Sequence, residues 1–264
     1  KVSTAPPPAE LWKQFSGERA FAAVKKQVEF GPRPAGSAAI EAARKHIEET
    51  LLSHGWEVER QEFTDETPRG RVKFMNVIAR FAADGRRPVP RQTQAAVVCS
   101  HYDTKRYSTI QFVGANDAGS STGALLELAR VLALDPPLAA KVELVFFDGE
   151  EAVVQFSELD GLYGSRYYAR KLREDRRAAQ FRFGILWDMI GDAELTVTLS
   201  PDSPPDLTRE LLTSANALGH GSHFDFHDRD IWDDHVPLNR IRIPTVNIID
   251  FDYLYWHTAD DKLG

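Results

Sequence analysis

The residues best able to do chemistry in this chain are carboxylates and histidines placed at the ends of apolar runs. Cys99-Ser100-His101-Tyr102-Asp103 closes one run, and Ala115-Asn116-Asp117 lies just beyond it. Phe146-Phe147-Asp148-Gly149-Glu150-Glu151, Leu186-Trp187-Asp188 and Tyr255-Trp256-His257-Thr258 repeat the pattern. Such groups are costly to half-bury unless they are paired or bound to metal. Delivered where strands stop, they would meet at the carboxyl edge of a sheet. Asp117, Glu151 and His257 make a three-ligand zinc set that leaves one position open to substrate. His101 and Asp188 are available as further ligands or as groups that orient the first three. In the Glu150-Glu151 pair, one carboxylate can hold a metal while its neighbour, pointing elsewhere, moves protons. That combination suits a hydrolytic or acyl-transfer centre.

Each motif also has a plainer reading. An isolated Glu-Glu pair fits a solvated strand end, and Trp256 suits a core as well as a pocket wall. Asp233-Asp234-His235 fits a helix N-cap as well as a site. Gly119-Ser120-Ser121-Thr122-Gly123 matches a nucleophile elbow, and Asp233 and His257 follow in serine-hydrolase order. An elbow needs a strand running straight into the serine, however, and residues 114–118 are polar and turn-like. A helix starting after Asp117 explains the small residues better. His220, His223 and His227 read as a surface loop.

The elements that must position these groups alternate between the two periods. Helices are expected over 18–30, stopped by Gly31-Pro32, and over 38–54 with Ser37 as N-cap. Strands follow at 56–63 and 74–81, then a polar loop over 82–94. Residues 95–99 and 142–147 are short continuous apolar runs, as in strands covered on both faces. Helices are expected over 120–134, 162–174 and 206–218, and strands over 183–190 and 245–249. Strands alternating with helices imply a layered α/β/α domain with a largely parallel sheet.

Bulk properties narrow the classes. The chain has 264 residues, 42% hydrophobic and 27% charged, with a net charge of -7. That length suits one large domain and demands no second. No basic block offsets the acidity, which argues against a nucleic-acid binder. No apolar run approaches the roughly 20 residues of a membrane span. The one cysteine, Cys99, excludes an internal disulfide framework and reads as a small core residue. The start at Lys1, followed by Ala5-Pro6-Pro7-Pro8, fits a chain cut from a precursor or one otherwise trimmed, and does not choose between them.

Taken together the motifs resemble those of the M28-type zinc aminopeptidases and, within them, the glutaminyl-peptide cyclotransferases. They are His101-Tyr102-Asp103-Thr104-Lys105, Phe112-Val113-Gly114-Ala115-Asn116-Asp117, Phe146 to Ala152, Leu162-Tyr163-Gly164-Ser165, Asp233-Asp234-His235-Val236-Pro237 and Trp256-His257-Thr258. The likeness runs from Gly31-Pro32-Arg33 to His257. Residues 152–160 are inserted between Glu151 and Gly161, as in the cyclotransferases rather than the aminopeptidases. Residues 63–78 are also similar to that branch. Phe156 stands where those enzymes tend to have Trp, and Trp232 where they tend to have Gln.

The resemblance implies one α/β/α domain over 1–264 with a mixed, largely parallel sheet and an extended segment over 1–17. It implies cyclisation of N-terminal glutamine to pyroglutamate with release of ammonia, and one zinc per chain held by Asp117, Glu151 and His257. Glu150 would take a proton from the α-amine and return it to the leaving ammonia. Asp188 and Asp233 would line the proton path, and Trp256, Phe156 and Trp232 would wall the substrate pocket. A cis Asp117–Ala118 peptide is implied as well. The expected partners are peptides or proteins with N-terminal Gln, with no nucleic acid and no membrane span. The chain is expected to act as a monomer, secreted or periplasmic. The alternative is a two-zinc aminopeptidase, in which His101 and Asp188 bind a second metal, Asp117 bridges and Glu150 activates water. A third reading is a catalytically silent binding module on the same fold.

Overall fold

The two N-terminal helices start where the sequence offers a hydroxyl acceptor. In the computed structural model, which describes residues 8–91 and 94–264, Ser16 Oγ accepts the Arg19 N–H at the start of α1 (Gly17–Glu29). Ser37 Oγ does the same for Ile40 N–H at the start of α2 (Ala38–Ser53). Residues 1–7 of the expected extended segment lie outside the described residues. Within the rest of that segment, Leu11–Gln14 form a 3-10 turn rather than extended chain.

A hairpin follows, β1 (Glu57–Thr67) and β2 (Gly70–Arg80), antiparallel from Glu57 opposite Arg80 to Thr67 opposite Gly70. Both strands are longer than the alternation at 56–63 and 74–81 suggested. The turn at Pro68-Arg69, closed by Gly70 at φ +95°, keeps their polar ends paired. Next come β3 (Ala96–His101), α3 (Gly119–Leu132), α4 (Pro136–Ala139) and β4 (Val142–Phe147). The chain continues through α5 (Tyr163–Glu174), β5 (Phe183–Asp188), β6 (Val197–Leu199) and α6 (Pro205–Ala217). It ends with β7 (Phe224–Phe226), α7 (His235–Arg240) and β8 (Thr245–Ile249).

Six strands form one sheet in the order β1-β2-β4-β3-β5-β8. β1, β2 and β4 pair antiparallel, whereas β4, β3, β5 and β8 run parallel. The mixed, largely parallel sheet is therefore as expected. Period-two alternation sends successive residues of the central strands to opposite faces. Val98, Leu144 and Phe146 pack with Ile40, Ile47 and Leu51 of α2 and Leu125, Leu126 and Ala129 of α3. Val97, Cys99, Val145 and Phe147 pack on the other face with Tyr168, Ala169 and Leu172 of α5 and Leu238 of α7. Cys99 is a buried core residue. Deleting one of the larger of these side chains should cost about 2–5 kcal/mol.

Because β3 lies between β4 and β5, the connections through α3 and α5 leave the centre of the sheet in opposite directions. Ligands favour the crevice that such a reversal opens at the carboxyl ends of the strands. Several elements depart from the expectations. The strand expected to reach 190 stops at Asp188, where Met189 takes φ +46°. The three-residue β6 and β7, paired parallel, are too short for periodicity to reveal. Asp234 occupies the N-cap position of α7, but its side chain caps nothing. The Asp117–Ala118 peptide is cis. α3 begins at Gly119, so Ser121 lies within a helix and not on an elbow. Among the described residues no helix is long and apolar enough to cross a membrane.

Candidate active site

Five segments bring the flagged residues together at the carboxyl edge of the sheet. His101 is the last residue of β3 and is fully buried. Asp188 ends β5, the neighbouring strand. Beyond β4 the chain turns at Gly149 (φ +75°), where an added Cβ would lie 2.5 Å from the Phe74 ring. That turn presents Glu150 and Glu151, and Asp103 fixes it by accepting both of their backbone N–H groups at 3.1 and 3.3 Å. Asp117 lies just before α3, where the helix dipole favours a carboxylate. A Cβ on Gly114 (φ +53°) would collide with the Asp117 carbonyl, so this loop closes only around glycine. His257 arrives on the turns after β8, with Trp256 stacked on its ring at 4.3 Å.

Asp117 turns one oxygen toward each histidine. Its Oδ2 is 3.4 Å from His257 Nε2, and its Oδ1 is 3.3 Å from His101 Nε2. Glu151 Oε1 lies 2.9 Å from His257 Nε2, and Glu151 Oε2 lies 3.4 Å from Lys105 Nζ. Asp188 Oδ1 is 3.3 Å from His101 Nε2. Two trios result, Asp117-Glu151-His257 and His101-Asp117-Asp188, each with ligand atoms within 4.8 Å of one another. Asp233 stands beside them, accepting Asn247 Nδ2–H at 2.7 Å and the Asp234 amide at 2.5 Å.

This crowding of acids shifts the protonation of His257, His101, Asp188, Glu150 and Asp117. Burial opposes a charge on His257, but Asp117 and Glu151 overcome it and push the pKa up to about 9. Burial likewise opposes a charge on His101, and Asp188, Asp103 and Asp117 raise its pKa well above the usual value. Burial pushes Asp188 up to about 7, with His101 working against it. Burial, the Glu151 charge and the Asp233 and Asp234 charges raise Glu150 well above the carboxylate range, against the pull of His101. Asp117, despite burial, is held below that range by its two histidines.

A cation fits this arrangement. His101 Nε2, Asp188 Oδ1 and Asp117 Oδ2 are buried without a hydrogen-bond partner among the described residues. Imidazoles drawn toward their charged form by surrounding carboxylates mark a place where positive charge is wanted. A divalent ion supplies it and binds the rings neutral. One imidazole nitrogen with two carboxylate oxygens is a donor set that suits zinc.

Against the ligand cluster lies a cavity of about 400 Å³. Its polar floor includes Glu150, Asp188 and Asp233, and Phe156, Trp232 and Trp256 are among its walls. All three aromatic rings stay partly exposed at its mouth (37%, 42% and 43%). Each residue expected from the sequence to serve the site therefore lines one pocket or ligand cluster. His220 and His223 stay exposed on the α6–β7 connection and lie outside it. Sequence reasoning gave no role to Lys105, Asp103 or Asp261. Asp103 and Lys105 were visible within the His101 motif, but only the tertiary contacts show what they hold.

This is the geometry of a metallo-exopeptidase-like α/β fold with an aromatic-walled pocket. The family model of peptidase family M28 matches residues 76–264. The glutaminyl-peptide cyclotransferase of Bothrops jararaca is 30% identical over 265 residues, covering 86% of this chain and 70% of that protein. Among solved structures, a glutaminyl cyclase from an Acidobacteriales bacterium superposes with a TM-score of 0.84 at 31% identity, over 99% of this chain and 90% of the other. A Zn-dependent exopeptidase from Parabacteroides distasonis gives 0.82 at 27%, over 94% and 91%. The chain belongs to peptidase family M28 and, within it, to the glutaminyl-peptide cyclotransferases.

Proposed function

We infer that this protein is an enzyme that cyclises the N-terminal glutamine of peptides to pyroglutamate, releasing ammonia. The observation that carries the reading is the loop over 152–160. It folds over the ligand cluster, placing Val154, Gln155 and Phe156 in the pocket wall. Asp160 staples it by accepting the amides of Val153, Val154 and Gln155 at 2.7, 2.9 and 2.9 Å. A pocket closed in this way holds a glutamine side chain folded back on its own amine, which makes the acyl transfer intramolecular.

Asp117, Glu151 and His257 would hold one zinc. When bound, the ion supplies a Lewis acid for the side-chain carbonyl oxygen. Glu150, whose raised pKa suits it to both accept and return a proton, takes one from the α-amine as nitrogen attacks the carbonyl carbon. It then gives that proton to the departing amide nitrogen, which leaves as ammonia. Asp188 and Asp233 line the path beside it, and Asn247 orients Asp233. Trp256, Phe156 and Trp232 exclude water from the glutamine.

The second trio favours a competing reading as a two-zinc aminopeptidase, with His101 and Asp188 on a second metal and Asp117 bridging. Under the one-zinc reading, a proton shared by His101 and Asp188 does the charge balancing instead, as the raised pKa values of both allow. The experiment offers the purified protein a Gln-peptide and, separately, aminoacyl amides. Ammonia release with a product blocked at its N-terminus supports cyclisation. Release of free amino acids, with N-terminal glutamine left uncyclised, overturns it.

A further inference from the structure

We propose that Asp261 is a positioning residue for Asp117, tying two of the three zinc ligands to one short segment; the inference rests on the metal reading above. Asp261 is 1% exposed. Its carboxylate accepts two consecutive amides, Asn116 N–H at 2.7 Å on Oδ1 and Asp117 N–H at 3.1 Å on Oδ2. Tyr253 donates its phenol to Oδ1 at 3.2 Å, and the Asp261 carbonyl accepts Ala115 N–H at 3.4 Å. Three successive amides of the ligand loop thus end on one residue.

Arg33 grips the same loop by its carbonyls. Its fully buried guanidinium donates to Val113 O at 2.7 Å and to Gly114 O at 3.2 Å. With its carbonyls held by a cation and its amides by an anion, the loop has little freedom to re-aim Asp117. Such charge-assisted bonds are roughly twice as strong as neutral ones.

Asp261 belongs to the segment that delivers His257. Turn bonds from Trp256 N–H to Tyr253 O, Thr258 N–H to Tyr255 O and Asp261 N–H to Thr258 O run through it. One ligand, and the residue that aims another, therefore move together. Groups that orient metal ligands commonly govern 10- to 100-fold in affinity.

The test uses Asp261→Asn, which keeps the size but faces one of the two amides with an NH₂ donor. Zinc affinity of chelator-stripped protein is read by competition with a chromogenic chelator, alongside thermal melts. Glu143→Gln is the comparison, because it breaks a buried ion pair at the other end of β4. Asp261→Asn should bind zinc about 10- to 100-fold more weakly, whereas Glu143→Gln should bind as wild type despite melting lower. Wild-type affinity in Asp261→Asn, or a matching loss in Glu143→Gln, overturns the proposal. If Asp261→Asn does not fold, Tyr253→Phe decides, since it removes only the phenol bond. Weaker zinc binding then sustains the proposal and wild-type affinity overturns it. A protein that shows this zinc pattern yet fails to cyclise glutamine refutes the cyclase reading and leaves the positioning role standing. A wild-type chain that binds no zinc removes both.

Discussion

Glu150 and Glu151 adjoin in the chain but differ in what their carboxylates meet. Glu151 is bound on both oxygens, to His257 Nε2 at 2.9 Å and Lys105 Nζ at 3.4 Å. The Glu150 carboxylate has no hydrogen bond or ion pair among the described residues and faces the pocket. Asp103, holding both backbone amides, sets this division. It separates the two tasks of the site, metal binding and proton transfer.

Glu150→Gln should therefore lower turnover by about 10²- to 10⁴-fold while zinc content stays near that of wild type. Glu151→Gln should lose activity by losing metal. Parallel assays of ammonia release and metal content check this. Zinc loss in Glu150→Gln would place the metal on the wrong carboxylate.

Chelation should abolish activity, and zinc should restore it. Elemental analysis of the purified protein should find near one zinc per chain. Near two would move His101 and Asp188 into the ligand set and promote the aminopeptidase reading.

The pocket walls should divide between substrate and metal effects. Phe156→Ala should raise KM for Gln-peptides by about 5- to 30-fold, corresponding to roughly 1–2 kcal/mol of lost apolar contact. Its zinc affinity should not change. Trp256→Ala should raise KM and also weaken zinc, because the indole stacks on His257. Titration of zinc into each variant separates the two outcomes.

Acid should weaken the fold through Glu143. Burial raises its pKa, but Arg80 at 2.5 Å, Arg177 at 2.8 Å and the Tyr168 hydroxyl outweigh that and hold it below the usual value. A depressed folded pKa adds stability above the unfolded value, about 4.3, which is lost as pH falls through the folded one. Glu143→Gln should cost about 3–5 kcal/mol at neutral pH, since it leaves buried Arg80 and Arg177 short of charge. Melting curves should show the gap to wild type constant near pH 7 and closing below about pH 4.

The sequence by itself determined which strands lie at the centre and which residues end them. Continuous apolar runs at β3 and β4 mark strands covered on both faces, and Asp117, Glu150, Glu151, Asp188 and His257 stand out as charges no core would otherwise keep. Ser37 likewise acts over one helical turn, within reach of local pattern. Tertiary structure alone decided which groups meet. Asp117 presents one oxygen to each histidine only because β3 sits between β4 and β5 and the last turns fold back over it. Arg33 and Asp261 hold the same loop from opposite ends of the sequence, and neither stands at the end of an apolar run. The three-residue β6 and β7 were equally silent. Local periodicity reports which side of an element is buried. It does not report strand order or the pairing of a buried charge with backbone groups far along the chain, because those depend on how the crossovers close.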